Sequence, residues 1–110
     1  MDKVYNKLIR DKIPEIIEDA GEKPKIKTLN QKDFVKELKK KVVEEAHELQ
    51  KAKNKKDVLN ELVDIQELID ALRKVHKVSL NKLINTQQEK NKKRGSFRKR
   101  LYLIGTNIKK

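Results

Sequence analysis

Apolar residues recur along this chain at helical rather than strand spacing, in stretches separated by short polar breaks. Leu8, Ile9, Ile13, Ile16 and Ile17 predict a short helix between Tyr5 and Ala20, with Pro14 near its first turn and Gly21 as its stop. Glu22 to Leu29 contains Pro24 and alternates Ile26 with Thr28, which predicts an extended connection with room for one short strand. Asn30 is placed to cap a second helix through Phe34, Leu38, Val42, Ala46 and Leu49, ending near Lys53. The polar turn Asn54-Lys-Lys-Asp57 follows, with Asp57 as the expected cap of a third helix. That helix carries Leu59, Leu62, Ile65, Ile69 and Leu72 and ends near His76. Ser79 is the expected cap of a fourth helix from Leu80 to about Lys93, followed by a basic tail over 94–110. The expectation is an all-α, single-domain protein of four helices over 1–110, in which helices two and three form an antiparallel hairpin.

Within that hairpin, acids occupy positions where apolar residues belong. At about 100° per residue, Val42, Ala46, Leu49 and Ala52 define one arc of helix two, and Glu45 falls inside it. Glu48 lies at the margin, roughly 60° away, and Glu44 lies on the solvent side. In helix three, Ile65, Leu68, Ile69 and Leu72 define the arc; Glu61 lies within it and Asp64 at its margin. Buried ionised carboxylates are costly without a compensating cation. Because the turn is short, Glu48 precedes its centre by about as much as Glu61 follows it, and Glu45 and Asp64 are similarly matched. Two pairs spaced i,i+3 therefore come face to face. Four converging carboxylates suit a hard cation, Mg²⁺ or Mn²⁺; zinc is disfavoured because no Cys accompanies them. His47 is read as a surface residue, and His76 as meeting the end of its helix.

Composition changes the picture in two ways. With 35% apolar and 42% charged residues, the chain has little material for a monomeric core, so pairing with another copy is expected to complete it. The formal net charge of +12 implies a polyanionic ligand, either nucleic acid or a nucleotide phosphate. There is no Cys, no stretch of secretory length and no window long and apolar enough to cross a bilayer, which makes a soluble cytoplasmic protein the expectation. Phosphoryl chemistry needs cations on the phosphates beside the metal. Two basic segments are candidates: Arg10-Asp11-Lys12, and the run containing Lys90, Lys93 and Arg94, where Gly95 permits close backbone approach to an anion.

Glu45-Ala-His-Glu48 followed by Glu61-Leu-Val-Asp64 resembles the ExxE…ExxD signature of the MazG-like nucleotide pyrophosphohydrolases, all-α enzymes related to dimeric dUTPases and to phosphoribosyl-ATP pyrophosphohydrolase. Tyr5-Asn-Lys-Leu-Ile-Arg-Asp-Lys-Ile-Pro14-Glu-Ile-Ile17 and Lys93-Arg94-Gly95-Ser-Phe97 resemble a small subgroup of that family, so the likeness runs from about Tyr5 to Leu103. The resemblance implies a MazG-like bundle, a homodimer or homotetramer, and hydrolysis of a nucleoside triphosphate to a monophosphate and pyrophosphate, with a role in nucleotide-pool housekeeping. It implies Glu45, Glu48, Glu61 and Asp64 as Mg²⁺ ligands. One of these, or a neighbour such as Glu44, would activate the attacking water. Lys93 and Arg94 would hold phosphates, with Lys90, Arg10 and Lys12 as further candidates. His47 and Asn60 stand where many relatives have acids, leaving fewer negative charges here. The competing expectation, from charge alone, is a basic helical nucleic-acid-binding protein without catalysis.

Overall fold

The computed structural model describes residues 3–109. It is all-α: four helices and, among the described residues, no strand. They are α1 (Ile13–Asp19), α2 (Gln31–Lys51), α3 (Lys55–Val75) and α4 (Leu80–Arg94). The chain divides between Val78 and Ser79 into two compact units.

In the first unit, the opening helix is shorter than its apolar spacing predicts. It begins at Ile13 rather than near Tyr5, because Pro14 sits in its first turn, and the residue before a proline is disfavoured in a continuing helix. Residues 3–10 have no regular structure. Gly21 stops the helix as expected: its φ of +90° lets its own amide reach Glu18 O and the Glu22 amide reach Ile17 O. No strand forms over Glu22–Leu29.

The hairpin is fixed at its ends by asparagines. Asn30 caps α2 through its side chain, which accepts from the Asp33 amide at 2.8 Å. The cap of α3 is Asn54 rather than Asp57. Asn54 Oδ1 accepts from the Asp57 amide at 2.8 Å, and its Nδ2 donates to the Asp57 carboxylate at 3.1 Å. Asp57 thus lies in the first turn, where its charge complements the helix dipole. With Asn54 already taken into the cap, the break after α2 is shorter than the expected tetrapeptide.

α2 and α3 pack against each other. Leu38 is the one buried apolar residue among the described residues; Phe34, Val42 and Leu49 of α2 and Ile65, Leu68, Ile69 and Leu72 of α3 are half-buried around the seam. Ala46, expected on the buried arc, is exposed. Leu59, Leu62 and Val63 lie at i, i+3 and i+4 on an exposed face of α3, and Val43 is exposed on α2. At the end of α3, Arg73 donates to the Asp70 carboxylate and to the Val78 carbonyl, which secures the turn closing the unit. No helix of the described residues is long and apolar enough to cross a membrane.

In the second unit, Ser79 caps α4 through the Lys82 amide, as expected. The helix runs one residue further than expected, to Arg94. Gly95, with φ of +81°, ends it by donating to Asn91 O at 2.7 Å. Beyond a turn at Arg98–Lys99, residues 100–109 have no regular structure, and all of 95–109 is exposed.

Candidate active site

The helical periodicity that puts Glu45 and Glu61 on their apolar arcs also aims them at each other across the hairpin. Glu45 of α2 and Glu61 and Asp64 of α3 each offer a carboxylate oxygen within 4.8 Å of the other two, and all three residues are half-buried. Glu61 Oε2 is buried and has no hydrogen-bond partner among the described residues. A buried acceptor without a donor is costly, and a bound cation is one way to satisfy it.

Crowding is visible in the proton affinity of Glu45, which is pushed up to about 7 from an ordinary value of 4.5. The first cause is a hydrogen bond to the Glu61 carboxylate that forms once Glu45 is protonated; with both ionised there is no such bond and Glu61 Oε2 lacks a donor. Burial and the negative charges of Glu61 and Asp64 add to it, and Lys41 opposes it. Near neutral pH, then, a cation and a proton compete for one place.

Among the described residues, two cations border the cluster. Arg10, from the irregular segment before α1, donates through Nη2 to Asp64 Oδ1 at 2.7 Å, and its side chain is 57% exposed. One of its five N–H groups is thereby engaged, and the exposed remainder is free to meet an anion. Lys41, one helical turn before Glu45, is the second, and also lies 3.6 Å from Glu44.

Of the expected ligands, Glu45, Glu61 and Asp64 come together. Glu48 does not join them; it is exposed and lies 3.9 Å from Lys51. Glu44 is exposed beside Lys41. Lys12 is exposed at the N-terminal boundary of α1, two residues beyond Arg10. In the second unit, Lys90, Lys93 and Arg94 line one shallow hollow on α4 with Thr86 and Glu89. His47 is exposed, and His76 is exposed at the C-terminal cap of α3. Lys41 was not singled out from the sequence. Its signal there was its i,i+4 spacing to Glu45, a spacing to an acid that Lys7, Lys40 and Lys53 share.

An oxygen-only donor set on two antiparallel helices, with an arginine beside it, is suited to a hard divalent cation and a phosphorylated ligand. Residues 5–91 match the phosphoribosyl-ATP pyrophosphohydrolase family. The chain belongs to that family. It is therefore a hydrolase of phosphoric anhydrides, a pyrophosphohydrolase of the nucleotide-pyrophosphatase type, and the three carboxylates lie within the matched residues. No curated protein and no solved structure matches the chain.

Proposed function

We propose that the protein is a magnesium-dependent nucleoside triphosphate pyrophosphohydrolase, converting a triphosphate and water to a monophosphate and pyrophosphate. The observation that carries this reading is the trio of Glu45, Glu61 and Asp64, with an unsatisfied Glu61 oxygen buried among them. These residues would hold Mg²⁺ or Mn²⁺, and Glu48, one turn along α2, would join by giving up Lys51. The metal would supply polarisation of a phosphoryl oxygen and acidification of a bound water. The chain's own residues do the rest. Arg10 keeps Asp64 in place through one N–H and turns its exposed remainder, with Lys12, toward the phosphates. Lys41 balances the excess negative charge, and one of these carboxylates, or Glu44 beside Lys41, would take the proton of the attacking water. Water adds at the α–β linkage, the bridging P–O bond breaks, and pyrophosphate departs.

The exposed Val43, Leu59, Leu62 and Val63 support assembly with a second copy, as a homodimer or homotetramer. Housekeeping of the nucleotide pool in the cytoplasm is the role that fits this activity.

Purified protein incubated with a panel of nucleoside triphosphates and Mg²⁺ tests the reading, with products identified by phosphorus NMR. Monophosphate and pyrophosphate are expected, lost in EDTA and in Glu61→Gln. Diphosphate and orthophosphate would overturn the assigned linkage. Turnover of phosphoribosyl-ATP alone would overturn the triphosphate substrate while leaving the reaction type.

A further inference from the structure

The segment before α1 is tied to the carboxylate cluster at one end and open to solvent at the other. Arg10 is fixed twice. Its carbonyl accepts from the Ile13 amide at 3.1 Å, in the turn that opens α1, and its guanidinium reaches Asp64 at 2.7 Å. Leu8 and Ile9 beside it are half-buried, whereas residues 3–7 are exposed. Asn6 stands in the left-handed region with φ of 46°, which asparagine adopts more readily than most side chains. Across that bend, Lys7 Nζ lies over the Tyr5 ring, 5.4 Å from its centroid.

Packing does not account for this ring. Tyr5 is 61% exposed, so it adds little apolar burial to the fold. An exposed cation–π pair between residues two apart in sequence is weak and shapes only the segment itself. The chain has no Trp, and its other Phe and Tyr rings are placed elsewhere. Phe34 is half-buried at the α2–α3 seam, and Phe97 and Tyr102 belong to the second unit. Tyr5 is thus the Phe or Tyr ring that the carboxylate-bearing unit leaves open to a ligand.

Its place along the chain suits the far end of a nucleotide. Arg10 borders the carboxylates and has N–H groups left for phosphates. Five residues separate it from Tyr5, a stretch that spans at most about 18 Å when extended. A triphosphate held at Arg10 carries its base within that reach. Lys7 stands over one face of the ring, and a nucleobase needs only the other. Stacking on an aromatic face is open to every base, because each has a π-face of its own.

On the triphosphate reading of the carboxylate site, on which this rests, we infer that residues 3–10 form the base-binding strap of the enzyme. Tyr5 stacks on the nucleobase, and Arg10 ties the strap to the phosphate end of the substrate. A ring that stacks without hydrogen bonds to the base edges confers affinity for a base and little choice among bases.

The test is calorimetric titration of the full-length protein, with Mg²⁺ present, by two ligands. One is a nucleoside triphosphate with methylene in place of the α–β bridging oxygen; the other is inorganic tripolyphosphate, which keeps the phosphates and lacks the base. Tyr5→Ala is expected to weaken the nucleotide analogue by about tenfold and to leave tripolyphosphate binding unchanged, which also shows that the variant folds. Tyr5→Phe should bind both ligands as the wild type does, and Arg10→Gln should weaken both. Analogues carrying adenine, guanine, cytosine and uracil should bind the wild type within about tenfold of one another. Nucleotide affinity unmoved by Tyr5→Ala would overturn the strap, as would equal losses for the two ligands. A Tyr5→Phe variant as weak as Tyr5→Ala would overturn stacking in favour of the hydroxyl. Each of these outcomes leaves wild-type hydrolysis of triphosphates intact; a wild type that hydrolyses none would overturn the triphosphate reading and the strap with it.

Discussion

The α2–α3 hairpin and the segment from α4 onward handle charge in opposite ways. In the hairpin, three carboxylates of one sign are half-buried within 4.8 Å of one another, on two helices held in register by capped ends. From α4 onward, cations of one sign are spread along the surface and left in water. The first arrangement concentrates a field in a fixed place, which is costly to build and selective for a small, hard cation. The second spreads charge over a length of chain at little desolvation cost and fixes no single place for a counter-charge. A net charge of +12 conceals this division, because the hairpin unit contributes little to it.

Glu61→Gln probes the concentrated end most severely. Losing one ligand charge is expected to lower turnover by about 100-fold or more, on the scale of removing one electrostatic group from an active site. Steady-state rates at saturating Mg²⁺ check it; a variant that kept the wild-type rate would break the assignment of the metal to this cluster.

Metal addition comes next. A cation that binds only the folded hairpin stabilises it by about 2.7 kcal/mol at 100 times its Kd, seen as a rise in melting temperature with Mn²⁺. Glu45→Gln and Asp64→Asn should each diminish the rise, whereas the combined Arg98→Gln, Lys99→Gln and Arg100→Gln, outside the hairpin unit, should not.

The pH response sharpens the comparison further. Glu45 keeps its proton up to about 7 in the folded chain against an ordinary 4.5. A raised affinity of this kind contributes stability that is complete below about 4.5 and is lost as the pH rises through 7. In EDTA the wild type is therefore expected to lose stability relative to Glu45→Gln between those values. With Mn²⁺ present the trend reverses, because the ionised carboxylates are then the bound form. Thermal melts of both proteins across that range, with and without metal, decide it.

Two smaller effects test the frame around the cluster. Asn54→Ala removes the cap of α3 and should cost about 1 kcal/mol in chemical denaturation. Arg10→Gln breaks an ion pair whose arginine is mostly exposed, so its cost in stability should stay below about 1 kcal/mol. Its larger effect is expected in KM for the triphosphate, since the exposed part of the guanidinium is lost to the phosphates.

Much of the site was legible from helical phase. Glu45 and Glu61 lie inside apolar arcs, and a break of a few residues forces antiparallel neighbours, so their meeting follows from angles along the chain. Asp64, at the margin of its arc, joins them. Glu48 stands at the matching margin of α2 and stays beside Lys51, because a marginal position is reached or missed by rotation of one side chain, which phase does not specify. Arg10 was legible as a candidate cation and not as the partner of Asp64. The segment carrying it has no regular structure, so no periodicity relates it to a residue 54 positions away. The exchange of Asp57 for Asn54 as the α3 cap has a similar origin: both residues can cap, and the choice depends on which one the closing turn leaves extended.

The sequence by itself determined the four helices, most of their stops, the hairpin and the carboxylate chemistry, since each depends on local backbone preference or on the 3.6-residue period. It also determined that apolar surface would be scarce. Only the tertiary structure decided that Glu61 keeps a buried oxygen without a donor, that Arg10 reaches Asp64, and that Leu59, Leu62 and Val63 remain uncovered on the hairpin. Those are relations between groups distant in sequence, set by how two helices and an irregular segment share a small volume, and no local preference encodes them.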